Sequence, residues 1–348
     1  MKTWQQLKNN PSLWPRYFVR EVVQRAVRQF FVEKNFHEVE TPLILAHPPA
    51  ESYVDVFETT LLDRQRKGRS VYLATSPETS LKKLLVAGIG DCFAITKSFR
   101  NMETQSNLHN PEFTILEWYR VGTDYQTIMD DCEELILALY GALNTQGRGE
   151  ENKLTYQGAV VDLARPWERL TVAQAFARYG KMDLGAHLTL PAIREAATKK
   201  GYRVEPSSTW EELYNQIFLN EVEPKLGRGK PTILYEFPAA VAALARRKGS
   251  DPRWAERFEF YIGGLELGDA YSELTDWKEQ QERFEREITE IKRLGKTVYD
   301  YDSDFIEALK VGLPQCSGIA VGLDRLVMLF ADAKNIQDVL FFPVAEIA

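Results

Sequence analysis

The sequence predicts an α+β fold in which helices flank a central, mostly antiparallel sheet. Two extended segments, DCFAITKSFR from Asp91 and EFTILEWYRV from Glu112, lie on either side of a polar loop and are expected to pair with each other. The other predicted strands are separated by long helical stretches, and this arrangement favours α+β over a doubly wound parallel sheet. A chain of 348 residues, 44% of them hydrophobic, is long enough to bury a sizeable core.

The first third of the chain predicts two helices and three strands. Apolar side chains at helical spacing indicate a helix over 13–34. Proline cannot donate to a strand ladder, so the strand that begins at His37 is expected to stop at Pro42. The elements that follow are strands from Val54 and Ser70, then a helix that Ser76-Pro77-Glu78 opens and Gly88 closes.

The rest of the chain shows both helical and extended patterns. Helices are expected over 125–143, 171–223 (with breaks) and 276–294, and strands over 232–240, 256–274 and 317–322, the last running into a helix. The segment GRGEEN, residues 147–152, is the best candidate for an internal boundary. We therefore expect a single domain over 1–348 with an inserted, mostly helical region at about 145–230.

Composition and charge exclude several classes of protein. Against 50 Asp and Glu residues stand 43 Lys and Arg, and the net charge of -7 does not indicate a sequence-independent nucleic-acid binder. The three cysteines are far apart and odd in number, so neither a disulfide framework nor a paired-cysteine metal site is expected. The N-terminus lacks a secretory signal and no segment has the length of an apolar membrane helix, so we expect a cytoplasmic protein.

Two arginines stand in contexts that suit phosphate binding. Arg100 ends a predicted strand at the start of the polar loop, and Arg325 follows Gly322, where a strand becomes a helix. An arginine can hold phosphate oxygens through two parallel hydrogen bonds, and a helix N-terminus adds attraction for anions. Without further context, two such arginines form surface ion pairs more often than a phosphate site.

Carboxylates are dense in the predicted extended segments. Glu259 and Glu266 are seven residues apart on a segment that contains Gly263-Gly264, and a bulge there would let them share a face and carry Mg²⁺. Polar residues in similar positions are Glu117, Tyr119 and Glu273. Carboxylates in one pocket raise one another's pKa, so such a cluster implies a cationic ligand or a metal. Alternating charges alone are more typical of a solvated sheet face.

Taken in order along the chain, these segments resemble the three motifs of class II aminoacyl-tRNA synthetases, and more narrowly those of the lysyl branch. The first motif is the helix and strand ending at Pro42, the second is SFRNMETQSNLHNPEFTILEWYR from Ser98, and the third is GIAVGLDRLVMLF from Gly318. The stretches TSPE from Thr75 and GLELGDAYSELTD from Gly264 also match. The resemblance covers nearly the whole chain. It implies the class II catalytic fold and replaces the interpretation of the two arginines as surface ion pairs.

Within the lysyl branch, the chain is similar to the elongation factor P–(R)-β-lysine ligases, which adenylate β-lysine and transfer it to a lysine side chain of elongation factor P. Motif one starts by about Pro15, so no anticodon-binding domain is expected. The phrases LLVAG, EVEP and KVGLPQCSG match these ligases, and Ala320 stands where lysyl-tRNA synthetases carry glycine. The resemblance implies ATP and Mg²⁺ as cofactors, β-lysine or lysine as substrate, elongation factor P as acceptor and a homodimer built on motif one. A tRNA or membrane partner is not expected.

The resemblance also implies roles for individual residues. Arg100 and Arg325 would be catalytic, the first at the α-phosphate and the substrate carboxylate, the second at the γ-phosphate. The other ATP-binding residues would be Asn101, Glu103, His109, Asn110, Phe113 (stacked on adenine), Glu266, Leu267 and Gly322, and the metal would be held by Glu259 and Glu266. The amino acid would be held by Ser76, Pro77, Glu78, Glu117, Tyr119, Asp269, Tyr271, Glu273 and Ala320.

Three residues in the matching segments have a plain structural alternative. A phenylalanine on a strand, such as Phe113, is more often a core residue than a stacking platform. His109 could serve only to cap the loop. Cys316 is expected to be a small buried side chain and not a nucleophile.

The chain departs from the family pattern at three places. Met102 separates Arg100-Asn101 from Glu103, so Glu103 replaces the usual adenine-contacting glutamate only through a bulged loop. Asp269-Ala270-Tyr271 stands for Asn-Gly-Phe, which puts a carboxylate beside the expected substrate carboxylate. That carboxylate needs a nearby cation, or else it indicates a different amino acid. The segment LTYQGAVVDLARPWERLTV from Leu154 is more like full-length lysyl-tRNA synthetases.

Two other functions stay open on the sequence. One is a ligase of the same kind that attaches another amino acid to a different carrier or to tRNA. The other is a non-catalytic paralogue that acts as a binding module, although a module that only binds has no need for both arginines and the acidic pair. Pyrophosphate exchange with several amino acids separates these functions.

Overall fold

The computed structural model describes residues 2–104, 106–144 and 151–347. Its strands are β1 His37–Glu38, β2 Ile44–Leu45, β3 Glu58–Leu62, β4 Gly68–Leu73, β5 Cys92–Phe99, β6 Glu112–Val121, β7 Lys153–Tyr156, β8 Ala159–Asp162, β9 Glu168–Thr171, β10 Thr232–Pro238, β11 Trp254–Ile262, β12 Leu265–Ser272 and β13 Cys316–Gly322. Its α-helices are α1 Thr3–Asn9, α2 Trp14–Glu33, α3 Glu78–Val86, α4 Tyr125–Leu143, α5 Val172–Arg178, α6 Leu190–Lys199, α7 Trp210–Ile217, α8 Trp277–Arg293, α9 Ser303–Gly312 and α10 Leu323–Phe330. No described helix is both long enough and apolar enough to cross a membrane.

Eight strands form the central sheet, in the order β1-β5-β6-β13-β12-β11-β10-β9. The inner pairs are antiparallel, and the outer pairs β1–β5 and β9–β10 are parallel. Two small sheets, β2-β4-β3 and β7-β8, lie outside it. The predicted α+β fold with a mostly antiparallel sheet is confirmed, and so is the predicted pairing of β5 with β6.

The two faces of the central sheet have different partners. Helices α2, α4 and α10 cover one face, where their apolar side chains form a buried cluster with Trp118, Phe258 and Ile319 of the strands. Successive side chains of a strand point to opposite faces. The neighbours of these core residues, such as Glu117 and Glu259, therefore point to the other face, which carries the cavity described below.

The segment over 256–274, predicted as one extended stretch, is the hairpin β11–β12. Gly263 and Gly264 form its turn with φ values of 64° and 82°. Glycine adopts positive φ without steric cost, so two residues suffice to reverse the chain. Carboxylates on either side of this turn therefore lie on two neighbouring strands and not on one.

Other predicted elements need smaller corrections. The strand from His37 ends at Glu38, and the chain pairs again at β2, after Pro42. Helix α9 and strands β7 to β9 occupy segments for which the pattern predicted no element. Residues 147–150 of the predicted boundary lie outside the described residues. Helices α5 to α7 pack with one another in a separate apolar cluster around Phe176 and Leu213, and the division into one domain with an insertion stays a prediction.

Candidate active site

Two rows of side chains across the sheet form the floor of a cavity of about 580 Å³. The first row, read across β6, β13, β12 and β11, is Glu117, Ala320, Asp269 and Glu259. The second row on the same strands is Tyr119, Gly318, Tyr271 and Arg257. The two small residues, both on β13, lie between larger side chains, and the ring of Tyr119 packs over Gly318.

Most side chains that the resemblance assigned to a site line this one cavity. From the expected ATP and metal sites they are Arg100, Glu103, His109, Asn110, Phe113, Glu259, Glu266, Leu267, Gly322 and Arg325. From the expected amino-acid site they are Ser76, Glu78, Glu117, Tyr119, Asp269, Tyr271, Glu273 and Ala320. Asn101 and Pro77 are absent from the described lining: Asn101 accepts the N–H of Met102 at 2.9 Å, and Pro77 is the N-cap of α3.

The extra residue in the loop after Arg100 is turned outward. Met102 has a left-handed φ of 66° and its side chain is 75% exposed. The next residue, Glu103, lines the cavity, where burial raises the pKa of its carboxyl and Arg100 opposes that rise. The loop thus bulges at Met102 and brings Glu103 to the cavity. A contact between Glu103 and adenine stays a prediction.

Arg325 is anchored by the polar loop and by the β11–β12 hairpin. Its NH1 donates to the carbonyl of Glu266 at 2.8 Å, and its Nε donates to the carbonyl of Leu108 at 3.3 Å. Its NH2 lies 2.8 Å from Nε2 of His109, and the carboxylate of Glu266 is a longer contact, with Oε2 3.4 Å from NH1. Three of these acceptors are uncharged, so most of the positive charge remains available to an anion.

His109 is held as a neutral hydrogen-bond acceptor. An arginine can only donate, so Nε2 accepts from Arg325, and Nδ1 then carries the proton and donates to Oγ of Ser106 at 2.8 Å. Burial and the positive charge of Arg325 lower the pKa of His109 to about 4. His109 therefore orients the arginine in addition to closing the loop.

Arg100 and Phe113 meet beside the same loop. The guanidinium carbon of Arg100 lies 5.3 Å from the ring centroid of Phe113, within cation–π range. The Nε of Arg100 is buried and has no hydrogen-bond partner among the described residues. Phe113 is half-buried and lines the cavity together with Arg100. Adenine stacking on Phe113 stays a prediction.

Asn110 is engaged by the protein itself. Its Nδ2 donates to the carbonyl of Glu112 at 2.7 Å, and its Oδ1 accepts the N–H of Val344 at 3.1 Å. These bonds tie the loop to the start of β6 and to the C-terminal segment. In this arrangement Asn110 positions the loop beside Phe113.

A β-bulge in the hairpin brings Glu259 and Glu266 to the same face of the sheet. The register shifts after Phe260, so that Glu266 lies opposite Tyr261 while Asp269 lies opposite Glu259. Without the shift, residues 266 and 269 would point to opposite faces. The bulge was predicted at Gly263-Gly264, where the structure has a turn; it lies at Leu267 instead, and both carboxylates line the cavity.

The donor set of these two residues fits a magnesium ion that also binds phosphate. Burial raises the pKa of Glu259 to about 8, with Arg257 opposing the rise and the like charge of Glu266 adding to it. A divalent cation would relieve that repulsion, and Mg²⁺ is usually held by one or two carboxylates together with phosphate oxygens. The described residues contain no cluster of three or more Asp, Glu, His or Cys side chains that could hold a metal ion. Glu259 already accepts from Arg257 at 2.7 Å and from Tyr261 at 2.5 Å, so Glu266 is the more open ligand.

The carboxylate that departs from the family pattern has a cation beside it. Oδ1 of Asp269 accepts from Nε of Arg257 at 2.9 Å, and Oδ2 accepts from the hydroxyl of Tyr271 at 2.6 Å. Arg257 is held in turn by the carbonyl of Val241, to which its NH1 donates at 2.6 Å. The cation that Asp269 was expected to need is therefore present in the floor of the cavity.

Three buried glutamates, Glu78, Glu117 and Glu273, line the cavity near Tyr119, and a lysine lies behind two of them. The ammonium of Lys82 lies 2.5 Å from Oε2 of Glu273 and also pairs with Glu78. The hydroxyl of Tyr119 donates to Oε1 of Glu117 at 2.7 Å, whereas Oε2 has no partner among the described residues. Burial raises the pKa of Glu273 to about 8 and that of Glu117 well above its usual range. These glutamates can accept hydrogen bonds from a cationic nitrogen.

Several residues of the cavity were not identified from the sequence. Arg257 is two residues from Glu259 on one strand, and this period-2 spacing is a usable signal. Lys82, which lies behind the cavity, follows Glu78 by four residues on α3, the spacing of a helical ion pair. Other residues reach the cavity from a loop and from α7 by long-range packing, which has no local signal; they include Glu51, Ser52, Tyr53, Glu211 and Tyr214.

The sequence of the chain matches known proteins over almost its full length. A family model described as "tRNA synthetases class II (D, K and N)" matches residues 3–346. A lysine–tRNA ligase of Pelotomaculum thermopropionicum is 36% identical over 97% of this chain, and the chain spans 65% of that relative's length. Elongation factor P–(R)-β-lysine ligases of Salmonella arizonae and Hamiltonella defensa are 37% and 39% identical, with 98% and 92% of both chains covered, respectively. This protein therefore belongs to the class II tRNA synthetases of the D, K and N group.

Proposed function

We propose that the protein is an ATP-dependent ligase that activates (R)-β-lysine or lysine as an acyl-adenylate and transfers it to a lysine side chain of elongation factor P. The observation that carries this proposal is the polarity of one cavity: Arg100 and Arg325 line it near Phe113 and Gly322, and Glu78, Glu117 and Glu273 line it near Tyr119 and Lys82. A polyphosphate fits the first region and the two ammonium groups of a diamino acid fit the second. The names of the relatives from Salmonella arizonae and Hamiltonella defensa support the same substrate and acceptor.

The first chemical step joins the two substrates. The substrate carboxylate attacks the α-phosphorus of ATP, the acyl-adenylate forms and pyrophosphate leaves. Arg100, whose Nε has no hydrogen-bond partner among the described residues, would stabilise the negative charge that develops at the α-phosphate. Arg325, oriented by His109, would hold the γ-phosphate. Glu259 and Glu266 would hold Mg²⁺, which supplies further charge neutralisation of the phosphates when it is bound.

The second step transfers the activated acyl group. The neutral amine of the acceptor lysine attacks the acyl carbon, the bond from that carbon to the phosphate oxygen breaks, AMP leaves with the bonding electrons, and the amine nitrogen loses one proton to solvent. The adenylate is already the activated species, so positioning and electrostatics account for the rate without a protein nucleophile. Cys316 is buried, which agrees with a mechanism that uses no cysteine nucleophile.

We also propose a homodimer built on α2, the helix of the first motif. Exposed aromatic side chains cluster there: Trp14 stacks on Phe18 with ring centroids 5.5 Å apart, and the exposed Phe341 stacks on the buried ring of Tyr17 at 4.9 Å. An exposed apolar patch of this kind is typical of a protein–protein interface. Analytical ultracentrifugation should find a dimer that Phe18→Glu converts to monomer, and a monomeric wild type would contradict this part of the proposal.

Mass spectrometry of the acceptor tests the proposed function. Elongation factor P incubated with the protein, ATP, Mg²⁺ and either (R)-β-lysine or lysine should gain the mass of one aminoacyl group on one lysine. The Pelotomaculum thermopropionicum relative is a lysine–tRNA ligase, so tRNA is offered in a parallel reaction. If tRNA is charged while elongation factor P stays unmodified, tRNA is the acceptor. If neither acceptor gives a product, the result favours a binding module.

A further inference from the structure

We propose that Lys82 is a positioning residue for the amino-acid substrate: its buried ammonium fixes Glu78 and Glu273 and cancels one of the three negative charges at their end of the cavity. The two charges that remain match two ammonium groups on a single substrate. The inference rests on the proposed function, because it explains how this cavity selects a diamino acid.

Lys82 lies behind the described lining of the cavity. Its side chain is 1% exposed, whereas Glu78 and Glu273, which bind its ammonium, both line the cavity. Glu78 lies one turn earlier on α3, and Glu273 directly follows β12. A single ammonium therefore ties the helix to the sheet and sets the separation of two carboxylates that face the substrate.

The balance of charges explains why a lysine is needed at this position. Burial alone would lower the pKa of Lys82, but Glu273 and Glu78 more than offset that effect and raise it, so the ammonium stays charged. Burial raises the pKa of Glu117 and Glu273 in the free protein, and a bound ammonium opposes that rise and favours their ionised forms. With substrate bound, the ionised carboxylates of Glu78, Glu117 and Glu273 leave two net negative charges once the ammonium of Lys82 is counted. Uncompensated charges are costly away from water. Two substrate ammonium groups bring this end of the cavity to neutrality, and one group does not.

Glu117 provides an acceptor that the free protein leaves unused. Its Oε2 is buried and lacks a partner among the described residues, while Oε1 is occupied by the hydroxyl of Tyr119. Burial, followed by the charge of Glu78, raises the pKa of Glu117, and Lys82 opposes that rise. A bound ammonium would supply the missing donor and favour the ionised carboxylate. Lys82 thus contacts one oxygen each of Glu78 and Glu273, whereas Oε1 of Glu273 and Oε2 of Glu117 have no hydrogen-bond partner among the described residues and are left for the substrate.

A binding experiment with two simple amines tests the charge balance without requiring turnover. By calorimetry, the wild-type protein should bind 1,5-diaminopentane at least about tenfold more tightly than 1-aminopentane, the scale of one extra charge-assisted hydrogen bond. Glu273→Gln leaves one net negative charge and should lower that preference to below about threefold. Adding Lys82→Met to Glu273→Gln restores two net negative charges at this end of the cavity. The double variant should therefore recover the preference of the wild type for the diamine.

The recovery is the sharpest outcome, because two independent losses would not cancel each other. A wild-type protein that binds the two amines equally, or a double variant no more selective than Glu273→Gln, would overturn the proposal. The double variant keeps the net charge of the wild type, so the comparison remains possible even if Lys82→Met alone does not fold.

Catalysis tests the positioning role, with Lys83 as the matched control. Lys83 is the next residue on α3 and also pairs with two carboxylates, Asp302 at 2.8 Å and Asp304 at 2.7 Å, but outside the described lining of the cavity. In pyrophosphate exchange with L-lysine, Lys82→Met should lower kcat/KM for lysine at least about tenfold and leave KM for ATP within about twofold. Lys83→Met should change neither value.

The two proposals fail in different ways. An unchanged kcat/KM in Lys82→Met would contradict the role of Lys82 while the proposed function stands. A wild-type protein that prefers the diamine but shows no exchange with any amino acid would contradict the proposed function while the charge balance stands.

Discussion

The guanidinium of Arg257 and the carboxylate of Asp269 form an ion pair between neighbouring strands, with Nε 2.9 Å from Oδ1. The same guanidinium binds Glu259, so one cation serves two carboxylates in the floor of the cavity. Removing one partner of a buried ion pair leaves uncompensated charge and costs far more than the pair contributes. This relationship explains how the chain tolerates a carboxylate where the family pattern has an amide.

Replacing Arg257 should therefore destabilise the fold. We expect Arg257→Gln to lower the free energy of unfolding by about 3–5 kcal/mol, because Asp269 and Glu259 lose their shared cation. Urea denaturation measures the effect, and Arg253→Gln is the control. Arg253 pairs with Asp251 near the surface, with Nη2 2.7 Å from Oδ2, and the loss of stability there should be much smaller than in Arg257→Gln. Equal, small losses of stability in both variants would contradict the claim that Arg257 neutralises two carboxylates in the floor of the cavity.

Replacement by alanine should lower the stability of the fold at one glycine and raise it at another. A Cβ at Gly318 would overlap the ring of Tyr119, its neighbour on β6, whereas a Cβ at Gly141 on α4 meets nothing within 4 Å. We expect Gly318→Ala to cost about 1–3 kcal/mol of stability and to raise KM for the amino acid by displacing Tyr119. Gly141→Ala should add roughly 0.5–1 kcal/mol, because alanine favours a helix. Thermal unfolding and exchange kinetics measure both, and an unchanged KM in Gly318→Ala would argue against Tyr119 as a substrate contact.

His109 should stay neutral throughout the physiological range of pH. Its pKa of about 4 in the folded protein lies below the value of about 6.5 expected in the unfolded chain. The unfolded chain therefore binds more protons between these values, and the contribution of His109 to stability is lost as pH falls from about 6.5 to 4. NMR titration of the imidazole, assigned with His109→Gln, should give a midpoint near 4. A midpoint near 6.5 would mean that His109 does not accept from Arg325.

The three cysteines should be unreactive in the folded protein. All of them are buried free thiols, as the sequence predicted for Cys316, and burial raises the pKa of Cys92 to about 12. Thiolate is the reactive form, so both access and ionisation are suppressed. Titration with a thiol-specific chromogenic reagent should detect almost no reaction in buffer and three thiols in denaturant. Rapid reaction of a native thiol together with loss of activity would contradict this placement.

Local patterns in the sequence predicted local structure well. The helix over 125–143 has the predicted bounds because its apolar positions follow one helical face. The strand-to-helix junction at Gly322 likewise places Arg325 in the first turn of α10. The positions of Glu259 and Glu266 were harder to predict, because the bulge between them interrupts the alternation from which a strand face is inferred.

Contacts between segments that are distant in sequence account for the parts of the site that could not be predicted. The pairing of Lys82 with Glu273 joins α3 to β12, which are far apart in sequence, and no local pattern predicts their register. Tyr214 reaches the cavity from α7 in the same way. Such residues complete the site, and their roles follow from packing that only the folded chain reveals.

Pyrophosphate exchange into ATP tests the central claim most directly, since it reports formation of the acyl-adenylate without any acceptor. The wild-type protein should exchange label only when (R)-β-lysine or lysine is present, and Arg325→Ala should lower kcat at least about a hundredfold. No exchange with any amino acid, or full exchange in Arg325→Ala with unchanged ATP binding, would contradict the assignment of this cavity to amino-acid activation.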